Sequence, residues 1–217
     1  MAVRDMVARH SDYIKTKDFI PTPGYATRVL YEEVAPEIKL DADQRSVLDP
    51  ACGNGHMLSV FEEYGYKEIV GSDIIDSPDR KTTNRFVIED FTHPSNQTKY
   101  DDIITNPPYK PLQGFINMGL HRANQYFALL VRVQALETQG RFPIFRDTPP
   151  TRIAFFSDRI PFKSGVTIRK ASKMFFHVWL FWDIQRMKSV RYKPDAPVWI
   201  TPTAQEKYER MEDYDAN

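Results

Sequence analysis

The sequence has a single cysteine, no long apolar run and no net charge, and each of these features excludes some classes of protein. With Cys52 as the one cysteine among 217 residues, no disulfide can form within the chain, which favours a reducing cytoplasm. No stretch approaches the roughly 18 apolar residues of a membrane span, and residues 1–10 lack the apolar core of a signal peptide. The five histidines are scattered and show no metal-site spacing. We therefore expect a cytoplasmic protein with no metal centre and no membrane partner.

The zero net charge hides a strong asymmetry along the chain. Residues 141–193 contain twelve Lys and Arg but only three acids, which gives this segment a charge of +9 and the remainder −9. Such a separation of charge indicates a side that faces a polyanion, although a solvated basic surface would give the same count. The length and the 41% hydrophobic content suit one soluble domain with a good core.

Short β-type runs alternate with helical stretches, which is the pattern of a mostly parallel sheet with helices on both faces. The predicted strands are 47–49, 69–74, 85–88, 102–105, 125–132, 152–157 and 175–182. The main predicted helices are 56–64 and 111–123. The segment from Gln185 onward contains three prolines and an acidic end, and we expect it to wrap loosely around the domain and to fray at the terminus.

A glycine turn follows the first predicted strand, and an acid ends the second. The turn reads Asp49-Pro50-Ala51-Cys52-Gly53-Asn54-Gly55. Ligands of parallel sheets bind at the carboxyl ends of strands, where Gly53 and Gly55 let the backbone approach closely and Asp49 can accept from an amine. Asp73, 18 residues after Gly55, is placed to hold two ribose hydroxyls. Each acid could instead serve as an ordinary helix cap or loop carboxylate.

The third predicted strand ends in Glu89-Asp90-Phe91, which completes a nucleoside site. Asp90, or Glu89 in its place, can accept from an adenine amino group, and Phe91 can cover the ring. The turn is neither a dinucleotide Gly-x-Gly-x-x-Gly motif nor a phosphate-binding P-loop. A nucleoside ligand without a pyrophosphate is therefore favoured, and S-adenosylmethionine fits.

The fourth predicted strand ends in Asn106-Pro107-Pro108-Tyr109, which suits chemistry on a planar amino group. The lone pair of such an amine is delocalised, so attack on a methyl sulfonium needs two acceptors that draw its hydrogens out of plane. Asn106 offers a side-chain carbonyl and Pro107 a backbone carbonyl, which the stiff Pro107-Pro108 turn aims at the ligand. Tyr109 offers a flat face for a base held out of its helix. The plainer alternative is a proline-stiffened surface turn.

Taken in order, these motifs resemble the class I S-adenosylmethionine-dependent amino-group methyltransferases. The order is Thr22-Pro23, the glycine turn, Asp73, Asp90-Phe91 and Asn106 to Tyr109. Within that class the chain is most similar to small N6-adenine DNA methyltransferases carried by phages, over residues 18–183. The resemblance implies a Rossmann-like methyltransferase domain whose sheet has seven strands, the last antiparallel, and a location in the host cytoplasm if the protein is phage-encoded.

The resemblance also implies a role for each matching residue. The proposed catalytic residues are Asn106, Pro107, Pro108 and Tyr109. The proposed residues for S-adenosylmethionine are Thr22, Pro23, Asp49, Pro50, Ala51, Gly53, Gly55, Asp73, Ile74, Asp90 and Phe91. In this scheme Asp49 to Gly55 lie along the methionine moiety, while Ile74 and Phe91 pack on the adenine of the cofactor.

One departure from site-specific DNA methyltransferases concerns target recognition. We assign residues 1–183 to the methyltransferase domain and 184–217 to a C-terminal extension, and neither leaves room for a separate recognition domain. Recognition must then be weak, made by loops, or shared with a homodimer mate or partner subunit. Five basic residues between the last two predicted strands are candidates for phosphate contacts: Arg159, Lys163, Arg169, Lys170 and Lys173.

Three functions remain open at this stage. The first is transfer of a methyl group to adenine N6 in DNA, for which cytosine N4 would use the same acceptors. The second is methylation of adenine in RNA or of a glutamine amide in a protein, since Asn-Pro-Pro-Tyr also occurs in such enzymes. The third is a non-catalytic nucleic-acid-binding subunit on a methyltransferase fold, against which the intact motifs argue.

Overall fold

The computed structural model describes residues 21–77, 80, 84–163, 171–172 and 175–213. The strands are β1 Ser46–Asp49, β2 Glu68–Asp73, β3 Arg85–Ile88, β4 Tyr100–Thr105, β5 Ala123–Arg132, β6 Arg152–Phe156, β7 Phe162–Lys163, β8 Ala171–Ser172, β9 His177–Asp183 and β10 Val198–Ile200. The α-helices are α1 Gly24–Val29, α2 His56–Glu63, α3 Leu112–Arg122, α4 Phe142–Asp147, α5 Ile184–Met187 and α6 Ala204–Tyr208. A π-helical turn, Leu30–Val34, continues α1, and 3₁₀ turns cover Pro36–Lys39, Ala42–Gln44, Val133–Leu136, Gln139–Arg141 and Met211–Asp213. None of the helices in these ranges has the length and apolarity to cross a membrane.

One mixed sheet organises the fold, with the strand order β10-β6-β9-β5-β4-β1-β2-β3. Strands β1 to β5 run parallel to one another. Strand β9 runs antiparallel to both of its neighbours, β5 and β6. The two short strands β7 and β8 pair separately. The prediction of a mostly parallel α/β sheet with an antiparallel strand late in the chain is therefore confirmed.

The sheet has eight strands rather than the predicted seven, because the C-terminal segment supplies one. In β10, Val198 pairs in parallel with Ala154 of β6. Trp199 stacks on Phe155 with ring centroids 5.6 Å apart, and Ile200 is fully buried. The expectation that residues after 184 wrap loosely was wrong for this stretch. The strand is only three residues long and follows a proline-containing loop, so its period-2 pattern is too short to stand out in the sequence.

Buried apolar residues cover both faces of the sheet, as successive residues of a buried strand must. On β9, Trp179 belongs to the cluster under α1 and α2, whereas Trp182 belongs to the cluster under α3. Each indole N–H finds a backbone acceptor, Trp179 at the carbonyl of Ala26 (2.9 Å) and Trp182 at that of Thr148 (3.0 Å). These bonds satisfy the polar edge of each ring inside the core. Helices therefore lie on both faces, as predicted.

Close packing of α3 on β5 depends on Gly119. A Cβ at this position would lie 2.2 Å from two atoms of the Phe127 ring, which is fully buried and stacked on Trp182. We expect Gly119→Ala to lower the free energy of unfolding by about 1–3 kcal/mol, because overpacking outweighs the better helix propensity of alanine. Denaturant unfolding checks this. Gly140→Ala is the matched control, since its Cβ would meet nothing closer than 3.7 Å and should change stability little.

Candidate active site

A cavity of about 210 Å³ opens at the carboxyl ends of the parallel strands. Its residues come from the ends of β1, β2 and β5, from the turn after β1 and the start of α2, from the loop after β4, and from the segment that precedes α1. The lining residues are Pro21, Thr22, Asp49, Ala51, Cys52, Gly53, His56, Met57, Asp73, Asn106, Pro107, Pro108, Tyr109 and Arg132. This is the edge at which ligands of open parallel sheets bind.

The cavity gathers nine of the residues singled out from the sequence, across 88 positions of chain. These are Thr22, Asp49, Ala51, Gly53, Asp73, Asn106, Pro107, Pro108 and Tyr109. Six of the cofactor candidates do not line it: Pro23, Pro50, Gly55, Ile74, Asp90 and Phe91. Pro50 and Gly55 nevertheless belong to the turn that forms the cavity wall, and Ile74 directly follows Asp73.

The turn after β1 has a backbone that only glycine adopts readily at two points. Gly53 has φ 50° and Gly55 has φ 90°, both in the left-handed region. The Gly53 amide donates to the Asp73 carboxylate at 3.0 Å, and the Gly55 amide donates to the Cys52 carbonyl at 2.8 Å. The first of these bonds joins the turn to the end of β2. The two predicted cofactor segments are thus joined directly.

Asp49 is a buried carboxyl group on the cavity wall. Only 1% of the residue is exposed, and its Oδ1 accepts from the Ala51 amide at 3.1 Å. Burial raises the pKa of Asp49 to about 7, and the nearby Asp73 adds to the rise, while the neighbouring Thr105 hydroxyl and the hydrogen bond from the Ala51 amide oppose it. Burial also raises the pKa of Asp73, against backbone hydrogen bonds that include the one from Gly53. Burial disfavours the charged form of both carboxyls, and a nearby cation would stabilise that form. This wall of the cavity is therefore favourable to a cationic ligand.

Asn106 is held by a hydrogen bond that fixes which way its amide points. Its Nδ2 donates to the hydroxyl of Thr22 at 3.0 Å, and Thr22 is itself buried. The Asn106 carbonyl oxygen has no hydrogen-bond partner among the described residues. Because the amide nitrogen is engaged by Thr22, the carbonyl remains available to accept from a ligand. The arrangement can therefore bind an N–H group beside Asp49 and Asp73.

Comparisons with known proteins bear on the fold. No family model matches the chain, and no curated protein matches it significantly by sequence. Among solved structures, a proposed RNA methyltransferase from Pyrococcus horikoshii superposes with a TM-score of 0.58 at 16% identity, over 76% of this chain and 87% of that one. The T. thermophilus 16S rRNA guanine-N2 methyltransferase, in complex with AdoMet and guanosine, gives 0.46 at 16% identity, over 71% of this chain and 41% of that one.

The chain has the Rossmann-like methyltransferase fold. At 16% identity the likeness to the Pyrococcus horikoshii protein extends to the fold alone. The TM-score of 0.46 for the T. thermophilus enzyme indicates only a weak likeness. Within this fold the cavity occupies the strand ends at which Asp49, Asp73 and Asn106 meet. The fold does not determine the function, which depends on the chemistry of those residues.

Tyr109 and Arg132 form the side of the cavity next to β5. Tyr109 is 40% exposed, and the guanidinium carbon of Arg132 lies 3.8 Å from the centroid of its ring. The opposite side of Arg132 faces Phe175, at 3.6 Å. Sequence reasoning missed Arg132, although the residue ends β5, the neighbour of the strand that carries Asn106. Its position at a strand end was the available signal.

In this structure Asp90 and Phe91 contact other residues of the fold. The Asp90 Oδ1 accepts from the amide and hydroxyl of Thr92, at 3.0 and 2.7 Å. Phe91 is 1% exposed, 5.1 Å from the ring of Phe115 and 4.7 Å from the guanidinium of Arg122. Glu89, the alternative to Asp90, accepts from the hydroxyl of Ser72 at 2.9 Å. The predicted contacts of Asp90 and Phe91 with adenine stay predictions.

Of the five basic residues predicted to contact phosphates, Arg159 is described with its side chain. Arg169, Lys170 and Lys173 lie outside the described residues, and for Lys163 only the backbone, in β7, is described. The guanidinium of Arg159 lies 4.5 Å from the ring centroid of Phe176, which is 48% exposed. An exposed aromatic ring beside a basic group is the type of surface on which a nucleic acid can stack.

Proposed function

We propose that this protein transfers the methyl group of S-adenosylmethionine to the exocyclic N6 amino group of adenine in DNA. The orientation of Asn106 carries the proposal. Its amide nitrogen is bound by Thr22, which leaves its carbonyl as an acceptor in the cavity that also contains Asp49 and Asp73. An acceptor for an N–H group beside a carboxylate-rich wall is what amino-group methylation requires.

The cavity residues fit S-adenosylmethionine. The positive φ values of Gly53 and Gly55 leave the backbone open to close approach, and buried Asp49 with its elevated pKa gains from a cationic neighbour. Asp49 to Gly55 would lie along the methionine moiety and Asp73 would bind the ribose. When bound, the cofactor supplies an electrophilic methyl group on a sulfonium.

The acceptors after β4 serve the amine. The Asn106 side-chain carbonyl and the Pro107 backbone carbonyl would accept the two amine hydrogens and draw them out of the ring plane, which localises the lone pair on the nitrogen. As the nitrogen forms its bond to carbon it gains positive charge, which these fixed carbonyl dipoles stabilise without reorganisation. The proton leaves after transfer, so no strong base is needed.

Cofactor affinity should depend on pH through Asp49. Its pKa is about 7, and a bound cation lowers that pKa, so below pH 7 binding must release a proton. We expect the affinity for S-adenosylmethionine to rise with pH between about 5.5 and 7.5, by at most about tenfold per pH unit, and then to level off. Isothermal titration calorimetry in buffers of different ionisation enthalpy measures both the affinity and the proton release.

Two variants identify the carboxyl responsible for this pH dependence. Asp49→Asn should remove most of the pH dependence and leave the smaller part due to Asp73. Asp102→Asn is the matched control, because Asp102 is also buried with a pKa of about 7 but does not line the cavity. An unchanged pH dependence in Asp49→Asn would show that Asp49 does not face the cofactor charge.

The choice of DNA rests on the resemblance of the motifs, and the structure supports a nucleic acid of either kind. The exposed ring of Tyr109 suits stacking on a base, and Phe176 beside Arg159 extends an aromatic and basic surface. Because the described residues form no separate recognition domain, we propose that loops, a second copy or a partner subunit supplies sequence preference.

Transfer of radiolabelled methyl groups to matched duplex DNA, single-stranded DNA and bulk RNA, followed by nucleoside analysis, tests the proposal. N6-methyladenine in DNA is the expected result. Label in RNA alone would replace DNA with RNA as the substrate, and N4-methylcytosine would change the target base. No label in any of them, with cofactor binding intact, would indicate a protein amide substrate. Loss of both activity and cofactor binding would leave a non-catalytic subunit.

A further inference from the structure

Arg132 is the charged residue of the cavity whose role the proposed chemistry leaves unexplained. Its guanidinium is sandwiched between the rings of Tyr109 and Phe175, at 3.8 and 3.6 Å. A planar guanidinium covered on both faces can donate hydrogen bonds only along its edge. The two rings therefore hold the group in one plane and direct its donors along the cavity wall.

Arg132 also lacks the counter-charge that other interior arginines have. Arg28 binds the carboxylates of Glu63 and Asp213, and Arg122 binds that of Glu89. Within the described residues, no carboxylate pairs with Arg132, and its Nε is buried without a hydrogen-bond partner. An unpaired cation that lines a cavity fits an anionic group of a ligand, because the pair would restore both charge balance and hydrogen bonding.

The sheet order separates Arg132 from the side assigned to the cofactor. Strand β5 lies next to β4, beyond which come β1 with Asp49 and β2 with Asp73. Arg132 is therefore on the Asn106 side of the cavity, where the target nucleotide would lie. The anion that accompanies a target base on that side is the phosphodiester of its own strand.

We propose that Arg132 binds a phosphate of the target nucleotide, and that the stack of Tyr109, Arg132 and Phe175 places the base relative to Asn106. This inference rests on the proposed function and deepens it. Because a glutamine amide has no phosphate, the same contact would favour nucleic acid over a protein substrate. It would not distinguish DNA from RNA, since both carry the phosphodiester.

Arg132→Gln and Arg132→Lys test the assignment. The probe is an adenine-containing oligodeoxynucleotide, whose affinity is measured over a series of salt concentrations. We expect Arg132→Gln to weaken binding about tenfold or more and to reduce the salt slope by about one phosphate contact. Arg132→Lys should retain the slope but recover only part of the affinity, because lysine keeps the charge and loses the planar fork. The affinity for S-adenosylmethionine should stay within twofold.

Arg85→Gln serves as the matched control, since Arg85 is an exposed arginine on β3, at the far edge of the sheet. Its oligonucleotide affinity should equal that of the unmodified protein. Weaker cofactor binding in Arg132→Gln with unchanged oligonucleotide binding would assign Arg132 to the cofactor carboxylate and overturn the proposal. If Arg132→Gln bound both ligands as tightly as the unmodified protein does, the phosphate contact alone would be overturned. If the unmodified protein bound the cofactor but no oligonucleotide, the proposed function would be overturned as well.

Discussion

Asn106→Ala is expected to lower the rate of methyl transfer by about 10²–10³-fold or more while leaving cofactor affinity near normal. The substitution removes the side-chain carbonyl that accepts an amine hydrogen, a contact that strengthens as the nitrogen becomes tetrahedral and positive. It removes little from the cofactor side, because Asp49, Asp73 and the glycine turn remain. Single-turnover rates with labelled cofactor, together with calorimetric cofactor affinity, measure the two effects separately.

Thr22→Val tests whether the orientation of Asn106 matters as well as its presence. Valine keeps the shape of threonine but cannot accept the Asn106 Nδ2 hydrogen that Thr22 accepts at 3.0 Å. We expect a smaller loss of rate than in Asn106→Ala, with cofactor affinity again retained. Asn117→Ala, on the exposed face of α3, is the matched control and should keep full activity. A weaker cofactor affinity in Thr22→Val would instead support the cofactor contact predicted from the sequence.

The core of the candidate site could be predicted from the sequence because each of its parts is local. Asp49, Asp73 and Asn106 each stand at or just after the end of a short apolar strand, and the carboxyl ends of parallel strands meet at one edge. The prediction needed only the strands and their parallel order. Gly53 and Gly55 added a turn whose positive φ values confirm why glycine occupies those positions.

Other parts of the structure depend on contacts that leave no local pattern. Arg132 becomes informative only when Tyr109 and Phe175, 23 and 43 positions away, are placed on its two faces. Strand β10 is defined by its pairing with β6 and not by its own three residues. Phe91 packs in the core against Phe115, a contact that its place after β3 does not indicate, while its predicted contact with adenine stays a prediction.

The second large effect is expected at Arg28, where Arg28→Met should lower the free energy of unfolding by about 3–5 kcal/mol. Arg28 is 3% exposed and binds Glu63 at 2.6 and 2.8 Å, Asp213 at 2.7 and 2.8 Å, and the Tyr208 carbonyl at 2.8 Å. Methionine fills a similar volume but leaves the largely buried Asp213 carboxylate without a cation, and Glu63 keeps only its exposed partner Arg210, at 2.9 Å. Denaturant unfolding measures the loss.

Arg186→Met is the control for this effect, because Arg186 also pairs with an aspartate, Asp195, but is 42% exposed. An exposed pair of this kind contributes about 0–1 kcal/mol, so a loss as large as that at Arg28 would contradict the role of burial.

The effect at Arg28 should also reach the active site. Arg28 lies on α1, which begins two residues after Thr22, and Asp213 packs so closely on α1 that a Cβ at Gly24 would lie 2.6 Å from its carboxylate. Because Thr22 orients Asn106, loss of this anchor should lower the transfer rate even at temperatures where Arg28→Met remains folded.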